Sequence, residues 1–355
     1  MKKLIYILSK LVLILLTFAS CEDYYNPHLD SVPGLLVVES HFTNNLNQCY
    51  VKLTKSIDFY STDQAGEIAG AKVELIERQG SSLTGIESST GYFTFLSTPI
   101  PGNKYFLRIT CGNDIYESDK VIMPPLPTID TLYTENEIQK SYRTDDSGPT
   151  LVETPGRNIC IDAPITSSLE YYRFNWRSVI QWGYAYPAPP IPQRILYGWK
   201  SRSQEGLFNL AGPKEFSVTD KVEQHPILFM NYNYLTYLDS ATQIKRGYII
   251  IIDQYGITKE TYDFYDKLNQ QFTAEGSLFD PVMTQVTGNI HCTTDPTKTV
   301  AGFFDLNSYR QYRYFMDFGS NEESAVIQRR INRKVDIPGN GFLVNIAPQF
   351  WENYN

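Results

Sequence analysis

Tyr105-Phe106-Leu107-Arg108-Ile109-Thr110-Cys111, then Gly112-Asn113-Asp114, then Ile115-Tyr116-Glu117-Ser118-Asp119-Lys120-Val121: this stretch decides the fold class. Leu107, Ile109 and Cys111 alternate with Phe106, Arg108 and Thr110, the period of two that divides a strand's side chains between two faces. The Gly-Asn-Asp cluster then turns the chain back on itself, which is the sequence of a β-hairpin.

The same pattern recurs on the N-terminal side. Leu35 to Phe42, Gln48 to Ile57, Ala71 to Arg78 and Gly91 to Leu96 are short, rich in Val, Ile, Tyr, Phe and Thr, and separated by Asn, Gly, Ser or Asp clusters. Six closely spaced strands with no helical period between them predict an antiparallel sandwich of immunoglobulin-like or transthyretin-like type over 34–125. Three prolines within Pro124-Pro125-Leu126-Pro127 neither continue a central strand nor start a ladder, so the unit ends there.

A larger β-rich domain over 126–355 follows from Ile129 to Tyr133, Asn158 to Ala163, Tyr171 to Ile180, Arg194 to Lys200, Tyr248 to Asp253 and the strand-like runs after Val300. Between them, Thr144 to Gly156 and the proline-rich Tyr186 to Pro192 read as loops. One helix is expected near 258–275: Thr258 caps it, Glu260 suits the first turn, Tyr265, Leu268 and Phe272 recur at helical spacing, and Gly276 ends it. The chain is thus expected to be all-β and mainly antiparallel, with this one helix. The 26 Tyr among 355 residues fit half-buried sheet faces.

The opening residues differ from everything after them. Met1-Lys2-Lys3, an apolar run from Leu11 to Phe18 and a small-residue exit before Cys21 make residues 1–20 a cleavable signal peptide, too short to span a membrane. Thr17-Phe18-Ala19-Ser20-Cys21 resembles the bacterial lipobox, which makes Cys21 the lipidated N-terminus, with 21–33 as a polar tether. Several acyl chains on one residue give stable membrane anchoring. Cleavage removes three lysines and no acid, moving the formal charge from −8 to −11, and a nucleic-acid partner is not expected of so acidic a chain.

Four cysteines remain. Cys49 shares parity with Val51 and Leu53, and Cys111 with Leu107 and Ile109, so both face one core; a disulfide across the sandwich and a pair of buried thiols fit equally. His28, His41, His225 and His291 are isolated in sequence, and no metal site or cofactor is expected. No nucleophile elbow, phosphate-binding loop or calcium loop occurs, so no catalytic residue is assigned. For contact with a ligand or partner, the sequence offers Trp182, Tyr184, Tyr186, Tyr197 and Trp199 around the proline-rich loop; the competing account places them in the core of the second domain.

Leu36-Val37-Val38-Glu39, Tyr50-Val51-Lys52-Leu53, Tyr105 to Ile109, Met123-Pro124-Pro125, Ile129-Asp130-Thr131-Leu132, Gly276 to Pro281, Gly288-Asn289-Ile290, Asp295-Pro296 and Ala301-Gly302-Phe303-Phe304 stand in a telling order. In that order they resemble the Bacteroidetes outer-membrane lipoproteins grouped as domain of unknown function 4249. The resemblance implies an outer-membrane lipoprotein associated with a TonB-dependent receptor and brings no catalytic residues. A non-catalytic accessory that captures a ligand or helps the receptor assemble is therefore the leading expectation. A free-standing adhesive or structural surface module is the alternative. An envelope hydrolase comes third, and its sign would be a pocket gathering two carboxylates or a His with an Asp. Glu22-Asp23 directly after Cys21 suggest exposure at the cell surface.

Overall fold

The structure is a computed structural model that describes residues 34–57, 65–78, 80–145, 148–186, 194–213, 221–231, 246–273, 286–318, 326–330 and 343–344. Residues 1–33, on which the expected leader, Cys21 and tether fall, lie outside these residues. The chain is all-β with one α-helix among the described residues, and its sheets are mainly antiparallel. No helix there is long and apolar enough to cross a membrane.

The first nine strands are β1 (Leu36–Phe42), β2 (Tyr50–Lys55), β3 (Lys72–Glu77), β4 (Ser82–Thr84), β5 (Ile86–Ser89), β6 (Tyr92–Thr94), β7 (Lys104–Cys111), β8 (Asp114–Ser118) and β9 (Val121–Ile122). Then come β10 (Thr131–Asp145), β11 (Gly148–Pro164), β12 (Tyr171–Tyr186), β13 (Arg194–Ser203), β14 (Asn209–Ala211), β15 (Lys221–Asn231), β16 (Arg246–Ile257), α1 (Lys259–Thr273), β17 (Ile290–Cys292), β18 (Val300–Leu306), β19 (Ser308–Phe318), β20 (Val326–Arg330) and β21 (Leu343–Val344). The hairpin that decided the fold class forms as expected: Cys111 pairs with Asp114 and Gly112 takes φ +60° in the turn.

Two sheets face each other across the first core, ordered β18-β1-β2-β6-β5 and β17-β8-β7-β3-β4, with β9 on β7. The buried alternates Val38, Phe42, Val51, Leu53, Val73, Leu75, Leu107 and Ile109 fill the space between them. Residues 34–125 do not complete this sandwich. β17 and β18 come from the far end of the chain, carry Ile290, Cys292, Phe304 and Leu306 into the same core, and β18 lies parallel to β1.

The second core lies between a three-stranded sheet, β10-β11-β15, and a seven-stranded sheet ordered β20-β19-β16-β12-β13-β21 with β14 on β12. Ile159, Ile161, Leu228 and Met230 from the small sheet pack on Tyr172, Phe174, Ile250, Ile252 and Met316 from the large one. Thr144 to Gly156 is not a loop. It forms the outer part of the β10–β11 hairpin, in register from Thr131↔Asp162 to Asp145↔Gly148. Most of the described side chains there are exposed or half-exposed, so no strong apolar alternation marks the strands.

Thr258 caps α1 as its sequence predicts, its hydroxyl oxygen accepting the Thr261 N–H at 3.2 Å. Thr258→Ala is expected to cost about 1 kcal/mol, read as a shift in the urea midpoint with an unchanged slope. Phe272, expected on the buried face, is 70% exposed. The Asn269 side chain brackets the Phe208 main chain on the inward side of the helix.

The disulfide between Cys49 and Cys111 does not form: both are free thiols. Cys49 donates to the Thr43 carbonyl at the start of β2, while Cys111 sits at the turn end of β7 in the opposite sheet. Burial pushes the Cys49 thiol above its ordinary pKa, so it behaves as a small core side chain rather than a reactive thiolate.

Candidate functional site

On β1 the inward alternates are Leu36, Val38, Ser40 and Phe42, which leaves Val37, Glu39 and His41 on the outer face of the five-stranded sheet. The parallel pairing sets Glu39 beside Phe303 and His41 beside Asp305. Facing them are Arg173 and Asn175 from β12, Tyr255 from β16, Phe264 and Tyr265 from α1, and the segment Gln204 to Phe208. Between the two lies a cleft of about 590 Å³, at the junction of the sandwich and the second β unit.

Asp305 is the node of its floor. This carboxylate is only 3% exposed, yet Oδ2 meets His41 Nδ1 at 2.8 Å, accepts the Tyr265 hydroxyl at 2.9 Å and lies 3.3 Å from the Arg173 guanidinium. Oδ1 accepts the Asn307 amide at 2.7 Å. Arg173 lies over two rings, 4.5 Å from the centre of Tyr255 and 4.6 Å from that of Tyr265. Glu39, at the rim, accepts the Tyr50 hydroxyl at 2.9 Å, and Tyr50 stacks on Tyr92. Aromatic walls complete the site: Phe264 stacks on Phe303 with centres 4.2 Å apart, and Phe208 packs on Tyr265.

The electrostatics follow from this geometry. Burial opposes ionisation of Asp305, but the Arg173 charge and the hydrogen bonds from His41 and Asn307 win, holding the carboxyl down to about 2. Burial pushes the Tyr265 and Tyr50 hydroxyls well above the usual range, with Asp305 and Glu39 respectively adding to it, so both remain donors. An ionised carboxylate can only accept, so the His41 ring donates its Nδ1–H to Asp305. Since the folded carboxyl releases its proton more readily than the unfolded one, Asp305 contributes fully above about pH 4 and less as the pH falls toward 2. The span from the ordinary 3.8 to about 2 is worth on the order of 2 kcal/mol. Urea midpoints from pH 5 to pH 2 should fall less in Asp305→Asn than in the wild type.

A second buried carboxylate continues the polar face of the large sheet. Asp253 accepts from Tyr309 and Gln311, each at 2.7 Å, and meets Arg177 at 3.4 Å. Tyr309 and Tyr255 pack at 5.3 Å, linking this cluster to the cleft.

The aromatic residues singled out by sequence are elsewhere. Trp182, Tyr184, Tyr186 and Tyr197 lie on the β12–β13 hairpin, whose ladder pairs Trp182 with Gly198 and Tyr184 with Leu196. Their side chains, and residues 187–193 of the proline-rich loop, are outside the described residues. Trp199 is buried. The hairpin is at the opposite end of β12 from Arg173, about 30 Å along the strand from Trp182. Among the described residues no cluster of three or more His, Cys, Asp or Glu suits a metal ion. His41, Arg173, Tyr265 and Asp305 were not flagged as a group by the sequence, because they come from four elements. The signal was there in weak form: Arg173 and Asp305 are lone charges inside the aromatic runs Tyr171 to Phe174 and Phe303 to Leu306.

Two sequence motifs acquire a physical reason here. Gly288 and Gly302 touch backbone to backbone, and Gly302, at φ +116°, lies directly against the Val38 carbonyl where β18 joins β1. Between them Asn289 acts as a strand partner through its side chain, accepting the Phe304 N–H at 2.7 Å and donating to the Phe304 carbonyl at 3.2 Å. The family profile described as Domain of unknown function (DUF4249) matches residues 22–313, a span holding every cleft residue named above. No curated protein and no solved structure matches the chain. With most of its length inside that match, the chain belongs to the DUF4249 family.

Proposed function

We infer that the protein is a non-catalytic, lipid-anchored outer-membrane lipoprotein that captures a small polar ligand in this cleft and works beside a TonB-dependent receptor. The cleft carries the reading: its volume of about 590 Å³ falls within the range of small-molecule sites, with apolar aromatic walls and a few converging polar groups. The floor is held by its own hydrogen bonds, so little ordering is left for binding to impose. The leader, Cys21 and a family match that begins at residue 22 support the anchor, and the family resemblance supports the receptor. Full-length protein purified through an affinity tag from detergent-solubilised membranes is expected to bring down an outer-membrane receptor, and recovery without one contradicts this part of the reading. Cys21→Ser is expected to abolish lipid incorporation.

One observation favours a second reading. A His paired with an Asp in a pocket is the arrangement that acid–base hydrolysis uses. Against it, no Ser, Thr or Cys among the described residues bonds the His41 ring, and Ser40 turns inward to the Phe303 carbonyl. Loss of a hydrolytic turnover in His41→Gln, with ligand capture retained, would move the assignment to the enzyme.

A further inference from the structure

Two buried polar atoms on one side of the cleft have no hydrogen-bond partner. Gln204 Nε2 donates to the Leu207 carbonyl at 2.9 Å, which fixes how the amide lies and leaves Oε1 without a donor. Arg173 reaches Asp305 through Nη2, and its Nε–H has no acceptor. Buried polar atoms are nearly always paired, so a missing donor and a missing acceptor on the same side point to a ligand that brings both. Glu205, Gly206 and Leu207 are exposed, so the Gln204 amide beside them has room to turn toward it. Two further groups on the lining are half used among the described residues. Asn175 accepts the Trp176 N–H through Oδ1, leaving the donors of Nδ2, and Glu39 accepts from Tyr50 through Oε1, leaving Oε2.

Charge and shape narrow the class. Arg173 and Asp305 compensate each other and Glu39 adds a negative charge at the rim, so the lining offers an anion no unpaired cation. The space over the Tyr255 and Tyr265 rings that would attract a cation already holds the Arg173 guanidinium. A neutral molecule is left. Its polar partners are the planar forks of Arg, Asn, Gln and Glu, and its apolar partners are rings, with Phe208 and Phe264 partly open to the cleft. A pyranose matches both: its faces carry C–H groups that pack on aromatic rings, and each hydroxyl around its edge donates and accepts at once. An amide also offers a donor and an acceptor, but only one of each, fewer than these forks can take. We propose that the cleft binds a neutral saccharide, one ring of which packs on Phe208 and Phe264 while its hydroxyls engage Gln204 Oε1, the unpaired N–H of Arg173, Asn175 and Glu39. This rests on the reading that the cleft captures a ligand, and it names the class of that ligand.

The test places the full-length protein, in a zwitterionic detergent that contains no sugar, on an array of immobilised glycans. Neutral glucans, mannans, galactans and N-acetylglucosamine oligomers stand beside uronate, sialylated and sulfated glycans. Retention on at least one neutral glycan is expected, competed by the same glycan in solution and unchanged by raised salt, as befits an uncharged ligand. Gln204→Leu and Asn175→Ala are each expected to weaken it about tenfold with the urea midpoint unchanged, and Leu207→Trp, which fills the cleft, to abolish it. No neutral glycan retained, retention confined to the acidic glycans, or binding as strong in Gln204→Leu and Asn175→Ala as in the wild type would each overturn the proposal. Mass spectrometry of the molecules released on denaturation separates that failure from failure of the capture reading. A compound without a sugar that the wild type carries and Leu207→Trp lacks sinks the saccharide and leaves capture standing, whereas identical releases with no glycan retained sink both.

Discussion

Gly302→Ala is expected to lower the stability of the protein by about 4 kcal/mol, enough to leave a large unfolded fraction at growth temperature. Two costs combine at this residue. Its φ of +116° is one that a side chain rarely adopts, and an added Cβ would overlap the Val38 carbonyl oxygen, which belongs to the backbone of β1 and has nowhere to go. The strand must then leave its partner, and β1 carries His41 while β18 carries Asp305. Gly206 separates the two costs: it also has positive φ, +84°, but nothing lies within 4 Å of its Cβ position. Gly206→Ala should therefore cost about 1 kcal/mol. Equal losses for the two variants, measured by urea denaturation, would show that crossing of β18 over β1 is not what Gly302 serves.

The second large effect is at Asp305. Asp305→Ala removes the counter-charge of an Arg173 whose side chain is 13% exposed, along with the acceptor of Tyr265 and the anchor of His41. Breaking a buried pair from one side costs about 3–5 kcal/mol, because the remaining charge has lost its compensation. Arg173 also joins β12 to the sandwich, so the two β units should loosen together. Removing both partners in Arg173→Met/Asp305→Leu should cost less than Asp305→Ala alone, and the difference is the coupling between them. A double variant as unstable as the sum of the single ones would mean that the pair is not coupled.

Much of this fold was legible because its strands alternate against a core. β1, β2, β3 and β7 bury every second residue and were found within one or two residues of their ends. The helix was legible from its cap, since Thr258 acts locally. Strands without burial contrast were lost. β5 is exposed at all four residues, and in the outer β10–β11 ribbon Val152 and Thr154 are only half-buried, so its polar residues imitate a loop. The sandwich partner of β1 was hidden for a different reason. Val300 to Phe304 reads as a strand, but nothing local tells it to lie parallel to a strand some 260 positions earlier.

The cleft was less legible than the fold. Glu39, His41 and Asp305 occupy the outward parity of their strands, the same pattern that a solvent-facing sheet would show. They become a site because α1 and the β12–β16 face pack over them, which is a tertiary fact without a sequence period. The prominent aromatics drew attention to the other end of β12 because Trp and Tyr are conspicuous one at a time, whereas a buried carboxylate earns its role from four neighbours.

The claim that this cleft captures a ligand is tested most directly by what the protein carries. Leu207 is half in solvent at the cleft wall, so Leu207→Trp should fill the space while leaving the fold intact. Wild-type and Leu207→Trp protein, purified in parallel from cells grown alike, are denatured and the released small molecules compared by mass spectrometry. The wild type should release a polar compound that Leu207→Trp does not. Release of the same molecules in the same amounts from both would contradict the account.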